Sequence, residues 1–421
     1  MIINKSVIIG AMSVFIYILP WALFTGSFLS DLFLSLSSLI FLVLSIRKKM
    51  WKYYCNKFFI FFIIFYVYIV LRSFLSVDVF FSLESSLFYF RYILFSLSIW
   101  FLIDENKNFL KYFCTSLLLA FIFLILAGLY QYLTIDASDS INRLNLFFNE
   151  KKTLGAYLAR LSPLLFALIY INYDTKKALI ISSLLLVSLD VLIYLSGERT
   201  AIGQLVLITI MIIVMLNQFR IIRILTFIIS LIIIIFISIM DPSVKKSNID
   251  RTITQMNLDS SSENLILFST EHDKIYRDSL VIFTENPIFG IGTKLYRVYC
   301  NKGRYDINPL VCSTHPHNSY IQLLVETGLI GATFMVLLLL YFIGKVLKNL
   351  RANYLKKKPI YNNYQLLLII SFFITLFPFL PSMNLFNNWI NIIYFLPVGF
   401  FLHSMYANQE KIYDNQKKLI R

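Results

Sequence analysis

The chain has 421 residues, of which 58% are hydrophobic and only 14% are charged, and its mean hydropathy is +0.73. A soluble globular domain has about half apolar and about a quarter charged residues, so this composition excludes that class. The formal net charge of +15 would suit a nucleic-acid-binding protein, but the basic residues cluster beside apolar segments, where they set topology and attract anionic lipids. The sequence therefore predicts an all-α polytopic membrane protein with membrane lipids, and no nucleic acid, as partners.

Apolar segments of about 20 residues, long enough to cross the hydrocarbon layer of a bilayer, recur along the chain. We predict about twelve membrane-spanning helices in a single transmembrane domain that covers residues 1–421. The first segment follows Lys5 as in a signal sequence, but no small-residue cleavage site follows it, so we expect it to be retained. The twelve segments are residues 7–24, 28–46, 58–76, 87–103, 112–133, 153–172, 178–195, 200–216, 224–240, 319–344, 363–381 and 389–406.

Lysine and arginine are concentrated in alternate connections between these segments. With Met1 inside, the cytoplasmic connections carry the clusters Arg47–Lys49 and Lys356–Lys358 and also Arg220 and Arg223, whereas the short opposite connections hold few basic residues. Basic residues are retained on the cytoplasmic side of membrane proteins, so this pattern predicts that both termini are cytoplasmic.

One connection is much longer than the others. Residues 241–318 separate the ninth and tenth predicted spans, and the same charge argument places them outside the cytoplasm. Within this loop, residues 271–285 predict a helix that Asn286-Pro287 ends. The following Phe289-Gly-Ile-Gly292 predicts a turn, since glycine accepts backbone conformations that other residues avoid. We therefore expect one large outer loop with short helices, inserted between two spans.

The four cysteines divide between the two sides of the membrane. Cys55 and Cys114 fall at the inner side, whereas Cys300 and Cys312 both lie in the outer loop, where disulfides persist. We predict a Cys300–Cys312 disulfide that holds the backbone just before His315; the alternative is two free buried thiols. A zinc site is less favoured because no C-x-x-C spacing is present.

Arginine is the basic residue at the outer ends of four predicted spans, although lysine carries most of the inner charge. The planar guanidinium fork suits phosphate or pyrophosphate, so we favour anion binding for the set. The alternative is snorkelling, or ion pairing within the membrane with Asp190 or Glu198. Arg199 is the strongest candidate because Gly197 allows a tight turn before it and the N-terminus of the next helix attracts an anion. The four residues are Arg72, Arg91, Arg160 and Arg199.

Two of the four histidines lie at the start of the tenth predicted span, in Cys312-Ser-Thr-His-Pro-His-Asn-Ser-Tyr320. A neutral imidazole at this boundary can take a proton from a hydroxyl group. Pro316 separates His315 from His317, so the two side chains are expected to point in different directions and only one to act chemically. The alternative is that His317, Asn318 and Ser319 only cap the helix and anchor it at the interface. His272 opens the loop helix and is compatible with an ordinary surface residue.

At these residues the chain resembles a known family. His315-Pro-His-Asn-Ser-Tyr-Ile-Gln-Leu-Leu-Val-Glu-Thr-Gly-Leu-Ile-Gly331 resembles the histidine motif of the bacterial O-antigen ligase and O-antigen polymerase superfamily. Ser196-Gly-Glu-Arg-Thr-Ala201 is similar to the arginine turn of that superfamily, and the twelve spans and the late outer loop match too. The resemblance therefore covers most of the chain.

The resemblance implies a multi-pass glycosyltransferase of the bacterial inner membrane whose active site faces the periplasm. Such an enzyme takes a glycan from undecaprenyl pyrophosphate without a metal or another cofactor, and the absence of an Asp-x-Asp pair from the sequence fits this. The implied acceptor is lipid A-core for a ligase, or a second lipid-linked repeat for a polymerase. Either reaction belongs to lipopolysaccharide or surface polysaccharide biosynthesis.

The resemblance also assigns roles to residues. It places the donor pyrophosphate at Arg199 and the catalytic base at His317, with His315 as the other candidate. The family's second arginine is replaced here by His272, and Arg277 follows about one turn later, so either or both are candidates for donor binding.

The mechanism predicted on this basis is one inverting displacement at an anomeric carbon. Arg91 and Arg160 are expected to help offset the charge that develops on the leaving pyrophosphate. The alternative function is a transporter or flippase of a pyrophosphate-linked glycolipid, which many spans with intramembrane arginines also allow.

Overall fold

The structure is a computed structural model, and it describes residues 5–134, 144, 146–151, 153–255, 269–300, 313–355 and 359–419. All regular elements in these ranges are helical, as the composition predicts. Short 3₁₀ turns cover Trp51–Tyr53 and Leu146–Lys151, and a π-helical turn covers Lys246–Asp250. The α-helices are α1 (Lys5–Thr25), α2 (Ser27–Arg47), α3 (Lys57–Phe74), α4 (Val79–Ser86), α5 (Phe90–Glu105), α6 (Phe109–Thr134), α7 (Leu154–Asn172), α8 (Thr175–Leu195), α9 (Arg199–Met215), α10 (Arg220–Met240), α11 (Pro242–Lys245), α12 (Arg251–Gln255), α13 (Thr270–Glu285), α14 (Tyr296–Cys300), α15 (Ser319–Tyr354), α16 (Asn363–Leu376) and α17 (Asn388–Leu419).

Ten helical segments in the described ranges are long and apolar enough to cross a membrane, with α4 and α5 counted together. They correspond to ten of the twelve predicted spans. The other two predictions, residues 200–216 and 363–381, coincide with α9 and α16, which are apolar but only 17 and 14 residues long. A multi-pass membrane protein is supported, whereas the count of twelve spans and the cytoplasmic position of both ends stay predictions.

The burial pattern of α10 shows how the bundle is built for a lipid environment. Its buried residues are Arg223, Thr226, Ser230 and Ser238, whereas many of its isoleucines are exposed. Lipid solvates apolar side chains as well as a protein interior does, so small polar residues can face neighbouring helices in a membrane. In contrast, α7 is buried along most of its length and lies at the centre of the bundle.

A buried ion pair joins α8 to α10. The Arg223 guanidinium donates from Nη1 to Asp190 Oδ2 at 2.8 Å and from Nη2 to Asp190 Oδ1 at 3.1 Å, and Nε reaches Thr209 Oγ1 at 3.1 Å. The charge count had assigned Arg223 to a cytoplasmic connection, but the residue is fully buried inside α10. The two parallel hydrogen bonds to Asp190 and the contact with the Thr209 hydroxyl compensate the desolvation of the Arg223 guanidinium. Asp190, which was considered as a partner for the outer arginines, is therefore paired with Arg223.

The segment that follows α13 docks against a break in α15. Gly328 interrupts α15 with φ 65° and ψ −170°. The Leu329 amide N–H on the far side of the break donates to Pro287 O at 2.8 Å, outside the helix. Gly290, with φ 69°, lies so close to the break that an added Cβ would be 2.5 Å from Gly328 N. The predicted glycine turn at residues 289–292 is therefore confirmed, and close backbone approach is its reason.

Side chains of α3 hold this docked segment in place. Arg72 Nη2 donates to Gly290 O at 2.5 Å, and Arg72 Nε lies 3.0 Å from Phe289 O. Tyr68 Oη donates to Thr327 O at 2.5 Å, on the other side of the contact. Arg72 thus donates hydrogen bonds to backbone carbonyls of the loop. This structural role accounts for an arginine at the outer end of α3 without a bound phosphate.

Candidate functional site

A cavity of about 590 Å³ lies at the end of the bundle that carries α11–α14, called here the loop end. Four parts of the chain meet there: the α8–α9 turn, residues 248–253, the start of α13 and the connection between α16 and α17. Its wall is mixed, with cationic, polar and apolar groups. The lining includes Arg199, Asn248, Ile249, Ile253, His272 and Pro381.

The arginine turn brings Arg199 to this cavity. Gly197 adopts a φ of 65°, which ends α8 and lets the chain reverse. The Glu198 carboxylate then accepts hydrogen bonds from Gly155 N at 2.5 Å and Ala156 N at 3.0 Å, at the N-terminus of α7. An acidic group in this place offsets the positive end of the α7 dipole. Arg199 begins α9, so the cavity wall receives both its cation and a helix N-terminus.

His272 lies in the first turn of α13 and also lines the cavity. The Ser269 hydroxyl caps the helix by accepting from His272 N at 3.3 Å, and the same oxygen is 2.6 Å from His272 Nδ1. Burial lowers the pKa of His272, and the nearby Arg199 cation lowers it further. At neutral pH the ring is therefore an uncharged hydrogen-bonding group beside Arg199.

The ring of His317 meets the ring of His272 edge to face, with centroids 5.5 Å apart. His317 has a φ of 55°, a left-handed conformation that is rare for a residue with a side chain and that clusters at functional sites. Its carbonyl accepts from Ser382 N at 2.8 Å, and the next residue, Asn318, caps α15 through Tyr320 N at 2.9 Å. The connection after α16 and the start of α15 thus hold the histidine turn from two sides.

Both motif histidines are held neutral. Burial lowers the pKa of His317 to about 4, with a contribution from His272, and burial lowers the pKa of His315 to about 3, with a contribution from His317. The Ser313 hydroxyl is 2.9 Å from His317 Nε2, whereas Thr314 Oγ1 is 3.1 Å from His315 Nδ1. The two rings are 4.2 Å apart between centroids. Both imidazoles can therefore accept a proton, and His317 is the one beside the cavity-lining His272.

Arg160 occupies a different place from Arg199. It is 5% exposed, it lines a small space beside Asn318, and no acidic side chain of the described residues pairs with it. The Gln204 amide oxygen, when turned toward Arg160, accepts from Nη1 and from Nη2, the latter at 3.0 Å, and the guanidinium lies 5.5 Å from the centre of the Tyr394 ring. Arg160 thus brings a buried positive charge close to the N-terminus of α15.

Arg91 and Arg277 are both paired with carboxylates away from the cavity. Arg91 Nη2 is 2.9 Å from Asp31 Oδ1. For this arginine, the alternative of ion pairing within the membrane therefore applies, with Asp31 as the partner. Arg277 Nε is 2.9 Å from Asp273 Oδ2, and its side chain is 78% exposed on α13. The structure therefore brings together Arg199, His272 and His317, but not these two arginines.

The predicted disulfide concerns the segment just before the histidine motif. Cys300 is buried and disulfide-bonded, whereas Cys312 lies outside the described residues, so the pairing of these two stays a prediction. Cys55 and Cys114 are free. In the described ranges, no group of three or more His, Cys, Asp or Glu side chains is arranged to hold a metal ion.

The connection between α16 and α17 is the part of the site that the sequence analysis missed. The predicted span ran to residue 381, but α16 ends at Leu376, and the chain then passes the cavity at Pro381 and reaches the His317 carbonyl at Ser382. Pro378 was the available signal, because proline ends a helix or bends it.

Part of the chain, which includes this site, is similar to a known protein family. Residues 181–336 match the family model described as O-antigen ligase. The matched region runs from α8 into α15 and includes Arg199, His272, His315 and His317. No curated protein matched the chain. The match confirms the resemblance identified at the histidine motif and supports membership of the O-antigen ligase family.

Proposed function

We propose that this protein is a glycosyltransferase of the periplasmic face of the bacterial inner membrane, which moves a glycan from undecaprenyl pyrophosphate to an acceptor hydroxyl. The acceptor is lipid A-core if the protein is a ligase, or another lipid-linked repeat if it is a polymerase. One observation carries the proposal: the cation Arg199 and the neutral His272 line the same cavity, and His272 contacts His317.

The donor pyrophosphate binds at Arg199. A guanidinium donates two parallel hydrogen bonds to a phosphate, and the amide N–H groups at the start of α9 add a positive dipole. Ser269 Oγ lies close to Nδ1 of His272. If the hydroxyl donates to Nδ1, the ring proton lies on Nε2, which then donates a second, uncharged hydrogen bond to the pyrophosphate.

The reaction is one displacement. The acceptor oxygen forms a bond to the anomeric carbon while the bond from that carbon to the pyrophosphate oxygen breaks, with inversion at the carbon. The proton of the acceptor hydroxyl passes to His317, and the pyrophosphate leaves with the electron pair of the broken bond. Arg199 stabilises the negative charge on the leaving group, where charge stabilisation lowers the barrier most directly.

The low pKa of His317 fits this sequence of events. An imidazole with a pKa of about 4 is uncharged at neutral pH and so is ready to accept a proton. It is a weak base in the absence of ligand. A bound pyrophosphate places negative charge near the ring, which raises its pKa and strengthens it as a base only when donor is present.

The outer arginines do not contribute equally to this mechanism. Arg160 remains in the proposal because its charge is buried without a carboxylate among the described residues and lies beside the first turn of α15. Arg91 and Arg277 are left out because each forms an ion pair, with Asp31 and Asp273 respectively, and neither lines the cavity. We therefore assign the main electrostatic role to Arg199, with Arg160 acting at longer range.

The test is to incubate the purified protein with an undecaprenyl-pyrophosphate-linked repeat, with and without lipid A-core. A ladder of lengthening glycans identifies a polymerase, and a glycan-capped core identifies a ligase. The same protein in liposomes tests the alternative function. Movement of the lipid-linked repeat across the bilayer without any new glycosidic bond would favour a flippase and would overturn the proposal.

A further inference from the structure

Asn248 carries a buried carboxamide without a hydrogen-bond partner among the described residues. The residue is 6% exposed, and neither its Oδ1 nor its Nδ2 atom is bonded to any described residue. Buried polar groups are almost always paired, so a carboxamide with both ends unpaired requires an explanation. Its own main chain is engaged, since Thr252 Oγ1 donates to Asn248 O at 2.5 Å. The Asn248 backbone is therefore held in place, whereas its side chain forms no hydrogen bond within the described part of the chain.

This residue lies on the wall of the cavity that holds Arg199 and His272. It belongs to the π-helical turn at residues 246–250, whereas Arg199 comes from α9, so the cavity brings together two distant parts of the chain. Ile249 and Ile253 line the same wall and add apolar surface beside the amide. The carboxamide is covered in this structure, so contact with a ligand requires a rotation of the side chain at the wall.

The chemistry of the group indicates what it binds. A carboxamide offers two N–H donors at one end and an acceptor oxygen at the other. A pyrophosphate only accepts, so it would leave the Asn248 oxygen unpaired. A sugar hydroxyl or acetamido group both donates and accepts, and a pyranose ring also has an apolar face that suits isoleucine.

We propose that Asn248 forms a subsite for the transferred sugar, next to the pyrophosphate at Arg199, and recognises a substituent that both donates and accepts hydrogen bonds. This inference rests on the proposed function and deepens it. Asn248 is then a specificity-determining residue, and the outer-loop turn at residues 246–250 distinguishes one donor sugar from another.

The experiment compares ligands that differ only in the sugar. Purified full-length protein in nanodiscs is titrated with polyprenyl diphosphate, with the same lipid carrying N-acetylglucosamine and with the lipid carrying glucose, and dissociation constants are measured. Asn248→Leu keeps the side-chain volume but removes both polar atoms, and Asn248→Ala is the second variant if leucine disturbs folding. Thr254→Val is the matched control, since Thr254 is exposed on α12 and does not line the cavity.

Asn248→Leu should weaken binding of at least one sugar-bearing lipid by about 10- to 100-fold. Binding of the sugar-free lipid should change less than about twofold, and the thermal midpoint without ligand should stay equal or rise, because two unpaired buried atoms are gone. An equal loss for all three lipids would mean a phosphate contact, and no loss for either sugar would exclude the subsite; each result overturns the proposal. Because only binding is measured, these outcomes stay separate from a failure of the wild-type protein to transfer glycan.

Discussion

The imidazole rings of His272 and His317 lie edge to face with centroids 5.5 Å apart, although 45 positions of sequence separate them. His272 belongs to the cavity that contains Arg199, and His317 belongs to the turn that starts α15. Burial keeps both rings neutral. The pair therefore connects the proposed site of the leaving pyrophosphate with the proposed base.

Replacing His317 tests the proton-transfer role. His317→Ala should reduce glycan transfer by about two to four orders of magnitude, the usual contribution of a general base, while donor binding stays nearly intact. His315→Ala should have a milder effect, because we assign His315 to the shape of the turn. Turnover with the lipid-linked donor and titration with that donor provide the two measurements, on variants that keep the wild-type thermal midpoint. If His317→Ala keeps normal turnover and His315→Ala is inactive, His315 is the base and His317 shapes the turn. If both variants stay active, neither histidine is the general base.

Replacing Arg199 tests anion binding separately. Arg199→Ala should abolish transfer and weaken donor binding, and Arg199→Lys should restore little, because an ammonium group cannot form the two parallel hydrogen bonds of a guanidinium. Titration with polyprenyl diphosphate measures the loss directly. Full rescue by lysine would show that only charge matters at this position. Unchanged affinity in the alanine variant would show that the pyrophosphate does not bind at Arg199.

The pH dependence of transfer tests the environment of the histidines. The pKa of His317 is lowered to about 4, so the ring gains its proton only as the pH falls through that value. The acid limb of kcat/KM, which reports the free enzyme, should therefore lie well below the ordinary histidine value of about 6.5. The acid limb of kcat should lie higher, since the bound pyrophosphate favours the protonated ring. A kcat/KM profile that falls with a midpoint near pH 6.5 would contradict the buried, neutral base.

Glycine substitutions test the docking of the loop on α15. Gly290→Ala should lower the free energy of unfolding by about 1–3 kcal/mol or more. The residue has a φ of 69°, and the new Cβ would collide with the backbone at Gly328. Gly344→Ala is the matched control in α15, since nothing lies within 4 Å of its added Cβ, and it should be neutral or slightly stabilising. Thermal midpoints in detergent measure the difference. Equal midpoints for the two variants would show that the close approach does not matter to the fold.

Cysteine labelling in intact cells tests the predicted orientation. Thr254→Cys places an exposed thiol on α12, which the charge pattern locates outside the cytoplasm, whereas the free and exposed Cys55 lies on the predicted inner side. An impermeant maleimide should label the new cysteine in whole cells and Cys55 only after permeabilisation. The wild-type protein controls for background from Cys300 and Cys312, which should react only after reduction if they form the predicted disulfide. Labelling of Cys55 in whole cells, and of the new cysteine only after permeabilisation, would show that the topology is the inverse of the predicted one.

Some properties of this protein follow from its sequence alone. Apolar runs of about 20 residues with few charges predict membrane-spanning helices, because a helix of that length can cross the hydrocarbon layer and satisfy its own backbone hydrogen bonds there. The loop helix at residues 271–285 and the turn around Gly290 were also predicted correctly, since capping residues, proline and glycine act over a few positions. The histidine stretch carries the resemblance to the O-antigen ligase family for the same reason: its information is contiguous.

The roles of individual charged residues were decided only by the tertiary structure. The four outer arginines look alike in sequence, yet one holds loop carbonyls, one pairs with Asp31, one contacts Gln204 and only Arg199 lines the large cavity. The closeness of His272 to His317 was equally hidden. A side chain's hydrogen bonds and pKa depend on neighbours that folding brings from distant parts of the chain, and no local pattern encodes those neighbours.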